Sequence, residues 1–308
     1  MRITLTMENT QTLLDLEQDQ DQINQTSEAL SSGVKFSSPS DDPYAWAQSM
    51  NAQQGIREYT SIQSNLTFAT GWEKATSSAL TQLSDLVSQA EQVAISATSA
   101  SGTNNGDSYA TEVNSILQQA LNLANTQYGT QYIFAGSATS QIPFSIDSST
   151  GAVTYNGDPN SVNMRTDIGN GSNNNTTTIN VSGSDLFTFT SGGQSLNVLN
   201  QLWQLKEALT NGDSSTVSNS ITTLGDAFDH INDESAIVGT SLSELTTQQS
   251  AISVFQTNDQ SNLSNLEDTD MAQATTQLQQ METAYQAALD VTDKLDNLNL
   301  AYYLTGNG

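Results

Sequence analysis

The side chains with a claim to chemistry are few. His230 is the only histidine of the chain and lies on a helical pattern beside Asp229 and Asp233. A general base needs a nucleophile to activate and a site for the developing oxyanion. Neither constellation is visible, so His230 reads as a surface helix histidine. Asp41-Asp42 offers two carboxylates, but adjacent residues seldom aim at one ion, and no spaced third ligand or EF-hand loop accompanies them. Helix capping suits them better. Asp15, Glu17, Asp19 and Asp21 read as a solvated helix face. Gly169-Asn-Gly-Ser lacks the Lys-Ser/Thr and the following helix of a phosphate loop. With no cysteine in the chain, disulfides, thiol catalysis and Cys-based metal sites are excluded. The pattern predicts no catalytic residue, no cofactor and no metal, so an enzyme is disfavoured.

What the chain does carry is helical patterning at both ends. Near the N-terminus Leu13, Leu16, Ile23 and Leu30 recur at heptad-like spacing. Near the C-terminus Leu242, Leu245, Ile252, Leu263 and Leu266 do so, and Leu278, Met281, Tyr285, Leu289 and Leu295 follow after a break. Either end alone exposes an apolar stripe to water. Pairing the two ends with each other, or with copies of neighbouring chains, removes the cost. Hydrophobic residues make up only 35% of the 308 residues and aromatics 6%, which suits thin helical layers better than a thick core.

The formal net charge is −26, from 33 acidic and 7 basic residues. Nucleic-acid phosphates and anionic lipid are repelled by such a surface, so neither is an expected partner. No apolar segment follows Met1 as in a cleaved signal peptide, and no run is long enough to span a membrane.

The spacing predicts a helix over 5–31, stopped by Gly33 in a left-handed C-cap. Ser40, Asp41 and Asp42 are candidate N-caps for a second helix, with Pro43 suited to its first turn. That helix runs from Tyr44 to about Ala100, and a turn follows at Gly102 to Asp107. A third ends near Tyr128-Gly129. Strand and hairpin signals then appear: Ile142 to Asp147, Ala152 to Tyr155 and Thr176 to Val181, separated by Thr150-Gly151, Asn156-Gly157-Asp158-Pro159 and the run Gly169 to Asn175. Helical pattern returns at Leu196, breaks at Asn211-Gly212-Asp213, and continues from Val217 to Leu266. Asp268 and Asp270 are candidate caps for a last helix from Met271 to about Leu304.

The predicted fold is mainly α, an elongated antiparallel helical bundle or coiled coil made from both ends of the chain, with a small β-rich domain inserted in the middle. Its expected parts are a terminal layer (1–40 and 268–308), a central bundle (41–141 and 195–267) and a β-rich insertion (142–194). In Gln127 to Gly136, Tyr132 and Phe134 read as packing at the junction between helices and insertion.

Leu30-Ser31-Ser32-Gly33, the step to Asp41-Asp42-Pro43, and Leu266-Glu-Asp-Thr-Asp-Met-Ala with its Gln/Ala-rich helix resemble the hallmarks of the bacterial flagellins and their relatives. Pro43, the element Tyr132-Ile-Phe134-Ala-Gly136, Tyr155-Asn-Gly-Asp and Ser182-Gly-Ser-Asp-Leu-Phe resemble the branch of that family found at the hook–filament junction. The resemblance implies an extracellular structural subunit of the flagellum. It would be exported unfolded, with a flagellar chaperone, through the type III apparatus and without a cleaved signal. It would form a ring of its own copies between hook-associated protein 1 and flagellin. A flagellin that builds the filament is the alternative, and a secreted adhesin-like module a further one.

Overall fold

The computed structural model describes residues 5–99, 106–147, 150–167 and 176–305. Seven helices and eight short strands appear among them. Helices α1 (Leu5–Ser32), α2 (Pro43–Ser99) and α3 (Gly106–Ala124) come first. Strands β1 (Gln127–Tyr128), β2 (Gln131–Tyr132), β3 (Phe144–Ile146), β4 (Val153–Tyr155), β5 (Asn163–Arg165) and β6 (Thr176–Thr178) follow. The chain then makes α4 (Gly183–Phe187), β7 (Thr188–Ser191), β8 (Gln194–Asn197), α5 (Val198–Asn211), α6 (Ser214–Glu267) and α7 (Met271–Thr305). All four strand pairs are antiparallel hairpins between sequence neighbours, so no wide sheet forms. The chain is mainly helical, its N- and C-terminal helices pack together, and the strands stay in the middle.

Two compact units are present: 1–58 with 256–308, and 59–255. In the second, α2 lines a core with α3, α5 and α6. Leu80, Leu83, Val87 and Ala90 of α2 are buried, as are Val113 and Leu117 of α3, Leu199 and Leu202 of α5, and Leu224, Ala227 and Ile231 of α6. Strand-region residues enter the same core. Phe144, Phe187 and Phe189 are buried, and Phe144 and Phe187 lie 4.6 Å apart at their ring centres. The residues predicted to form an insertion thus share their apolar interior with the helices.

Local chemistry explains the element ends. Asn197 caps α5, its carboxamide oxygen accepting from the Leu199 and Asn200 N–H groups, and Gly212 closes the helix at φ +70°. Gly192 and Gly193, both at positive φ, make the two-residue turn between β7 and β8, where only such residues match the strand twist cheaply. Helix α3 stops at Ala124, short of the Tyr128-Gly129 end that the pattern suggested. The Asn125 carboxamide there exchanges two hydrogen bonds with the Phe144 backbone, at 2.9 and 3.0 Å, and Tyr128 enters β1. Gly102 to Asn105 of the predicted turn and Gly169 to Asn175 lie outside the described residues.

Candidate assembly interface

In the first unit α1 packs against α7. The direction is antiparallel: Thr26 donates from its hydroxyl to the Met281 sulfur at 3.7 Å, while Val34 bridges to Asp268 at the other end. This register sets Ile23 level with Tyr285 and Leu30 level with Leu278. Leu16 is only 8% exposed and Ala274 is likewise buried. Ile23, Leu30, Leu278, Met281 and Tyr285 are half-buried. Six of the nine predicted stripe residues therefore form a seam that is thinly covered, with Leu16 its best-buried member.

Leu13 and Leu289 do not join the seam; they are 62% and 41% exposed. Leu13 is thus an apolar side chain outside the α1–α7 contact of the single chain. The side chain of Leu295 lies outside the described ones. Leu14, Met7 and Val291 are exposed as well. Leu13 and Leu14 are adjacent, so about 100° separates them around the helix, and one partner helix cannot cover both.

The two helix breaks are tied together, which periodicity did not reveal. Gly33, at φ +77°, returns its N–H to Ala29 O, and its carbonyl accepts from Thr269 N–H at 2.9 Å. Lys35 donates its backbone N–H to Glu267 O and its Nζ to Asn265 O at 2.8 Å. The Ser32 hydroxyl donates to Glu28 O at 2.8 Å, and Ser31 is exposed. Of the candidate caps, Asp42 serves α2: its Oδ1 accepts from Tyr44 and Ala45 N–H at 3.1 and 2.9 Å, with Pro43 in the first turn. Asp41 instead folds the preceding loop, accepting from the Ser37 and Ser38 N–H groups. Asp270 caps α7 through the Ala272 and Gln273 N–H groups. The Glu267 carboxylate takes the Ser49 hydroxyl and the Gln53 amide. Phe36 is buried and meets Trp46 edge-on at 6.1 Å.

The other motif positions lie in the second unit. Phe134 is buried and edge-on to Phe187, and its carbonyl accepts from Gly183 N–H and the Tyr155 hydroxyl. Tyr132 pairs with Gln127 and is half-buried. Gly136 sits at φ +66°, and a Cβ there would fall 1.9 Å from Asp158 O. Ser137 next to it donates from Oγ and N–H to Asp158, which holds that carboxyl below its ordinary range.

The residues first weighed for chemistry stay apart. His230 Nε2 meets the Asp185 carbonyl at 3.0 Å. Among the described residues no cluster of three acidic or histidine side chains could hold a metal, and no helix is long and apolar enough to cross a membrane.

Residues 3–139 match the bacterial flagellin N-terminal helical region and residues 221–304 the bacterial flagellin C-terminal helical region. A curated Salmonella typhimurium relative, flagellar hook-associated protein 3, is 32% identical over 171 residues, which is 54% of this chain and 52% of the relative. Its Escherichia coli namesake is 35% identical over 122 residues, 38% of each chain. The matches thus span about half or less of those relatives. Among solved structures, flagellar hook associated protein-3 of Legionella pneumophila superposes with a TM-score of 0.61 at 14% identity, over 70% of this chain and 98% of that one. FlgL of Bacillus cereus does so at 0.57 and 21%, over 69% and 98%. At these identities the likeness is one of fold.

Proposed function

Because this chain belongs to the bacterial flagellin family, we propose that it is a structural adaptor at the flagellar hook–filament junction. It joins hook-associated protein 1 to flagellin through a ring of its own copies. It reaches that place outside the cell unfolded, carried by an export chaperone to the type III apparatus. The relatives named flagellar hook-associated protein 3 support this reading over that of a filament subunit.

One observation carries the assembly role. The α1–α7 seam takes up Leu16 but leaves Leu13, Leu14, Leu289 and Val291 in water. Each fully buried leucine or valine contributes about 1.5–3 kcal/mol, so these four side chains are a driving force for association that the single chain does not use. Copies and neighbours in a tube supply the missing surfaces.

The test is where growth stops in cells lacking this chain. Hooks that keep hook-associated protein 1 and shed flagellin into the medium are the expected result. Purified chain that polymerises alone into long filaments would point to the filament subunit instead and refute the adaptor.

A further inference from the structure

The second unit contains two apolar cores, and a polar step divides them. Along α2 a four-three alternation of buried residues runs through Ile62, Leu66, Ala69, Glu73, Thr76 and Leu80, with Thr70, Trp72 and Ala79 buried beside it. Such spacing is that of a two-helix seam. Ile62, Leu66 and Ala69 join Leu245 and Ile252 of α6 and Ile179 after β6 in a small core. From Trp72 onward the helix belongs to the larger core. The seam residues at the boundary, Glu73 and Thr76, are polar.

Glu73 is 3% exposed. Its Oε1 accepts from the Ser241 hydroxyl of α6 at 3.0 Å, and its Oε2 is buried without a partner. Two more buried polar atoms without partners, Thr70 Oγ1 and Trp72 Nε1, lie within one turn of Glu73 on α2, and Gln63 Oε1 and Gln248 Oε1 are two others farther along α2 and α6, among the small-core residues. An ionised carboxylate in such a place is costly unless paired, whereas a neutral carboxyl is tolerable and can donate its proton.

We propose that Glu73 is a proton-controlled latch between the two cores. With the carboxyl neutral, the step stays dry and the cores open as one unit. With it ionised, water enters the step and the small core opens by itself while the larger one holds.

The surroundings favour this assignment. Burial pushes the Glu73 carboxyl up from 4.5 to about 7, with the Ser241 hydrogen bond pulling the other way. Lys74 on α2, Glu244 on α6, Arg165 at the end of β5 and Asp167 just after it are exposed, so solvent screens their fields. Glu234, two turns before Ser241 on α6, is half-buried and is itself raised by burial. Tyr128 of β1 presents its ring to Phe68 and Trp72. None of these supplies Glu73 with a partner for its free oxygen. Between the unfolded and folded pKa values the closed state holds the extra proton. The latch is therefore firmest in mild acid and weakens as pH rises toward and through 7.

Hydrogen exchange of the full chain at pH 6 and pH 8, corrected for intrinsic exchange rates, tests this. Protection over 62–69 and 245–252, taken relative to 80–90 and 224–231, should fall about tenfold between the two pH values, as the proton linkage of a carboxyl moved from 4.5 to about 7 requires. In Glu73→Gln, which keeps a neutral side chain of the same shape, the ratio should not change with pH. A wild-type ratio indifferent to pH overturns the proposal, and so does a Glu73→Gln chain that keeps the wild-type response. A Glu73→Gln chain that fails to fold overturns it too, because the neutral form is the latched one.

Discussion

Leu13 and Leu16 are about one helical turn apart on α1, yet the structure gives them opposite surroundings, one in water and one buried. Leu16→Ala removes most of a side chain that is 8% exposed. A two-helix surface relaxes into the gap better than a deep core, so the low end of the large-to-small range applies, about 2 kcal/mol. The α1–α7 pair has little to spare, since Ile23, Leu30, Leu278, Met281 and Tyr285 are only half-buried. A loss of about 2 kcal/mol raises the open population of the pair roughly 30-fold. Leu13→Asp changes a side chain that is 62% exposed and shifts the free chain's stability by no more than about 0.5 kcal/mol. In an assembled tube the same change forfeits about 2 kcal/mol of leucine burial and places a carboxylate against apolar surface, a further cost of several kcal/mol. Hydrogen exchange over 5–32 and 271–294 reads the first effect in the monomer. Flagellin retained on hooks of complemented cells reads the second. Leu16→Ala should speed exchange, and Leu13→Asp should leave exchange alone and shed flagellin. If Leu13→Asp matches Leu16→Ala in the monomer, or leaves filaments attached, the division between seam and free face is wrong.

Three further outcomes follow from the same geometry. Gly136→Ala should destabilise the second unit by about 2 kcal/mol or more, from left-handed backbone strain and the collision with Asp158 O, seen as a lower denaturant midpoint. Asp42→Ala and Asp270→Ala each remove a carboxylate that accepts two N–H groups. Each should cost about 1 kcal/mol of helix stability, read as faster exchange in the first turns of α2 and α7. Deleting 142–194 takes Phe144, Ile179, Leu186, Phe187 and Phe189 out of the interior. At about 1.5–3 kcal/mol each, the loss rivals a typical domain's whole stability of about 5–15 kcal/mol. A cooperative thermal transition in the deleted chain would refute that.

Much of the helical scaffold was legible because long stripes with clear breakers leave little choice. The expected 5–31 helix is Leu5–Ser32, and the last helix begins at Met271 as expected. The seam was legible where spacing is strictly heptad, at Leu16, Ile23 and Leu30, whereas spacing alone did not separate these from Leu13, which stays exposed in the single chain. Hairpin β7–β8 was missed although Gly192-Gly193 is a strong turn signal. Leu196 beside Leu199 and Leu202 mimics a helical spacing, and the register pairs Leu196 with Phe189 instead. The ties from Lys35 and Gly33 to Glu267 and Thr269 are backbone hydrogen bonds across more than two hundred residues, and no side-chain pattern encodes them. The step at Glu73 was hidden for a related reason: one carboxylate in a stripe of alanine and leucine looks like a surface residue until the opposing helix is in place.

The charge pattern bears on why the free leucines do not simply collapse onto one another within a single chain. Helix α1 carries six acidic residues and no lysine or arginine, and α7 carries four acidic residues and one lysine. Both helices are net negative, so electrostatics opposes the pair while Leu16 and its half-buried companions hold it. The backbone ties at Gly33 and Lys35 hold the two helices in register beside this shallow seam. The leucines outside the seam then remain available for neighbours. A subunit proposed to be exported unfolded and to assemble only at a growing tip is served by this division: a seam strong enough to set the register, and an apolar face whose gain in free energy is realised only in the tube.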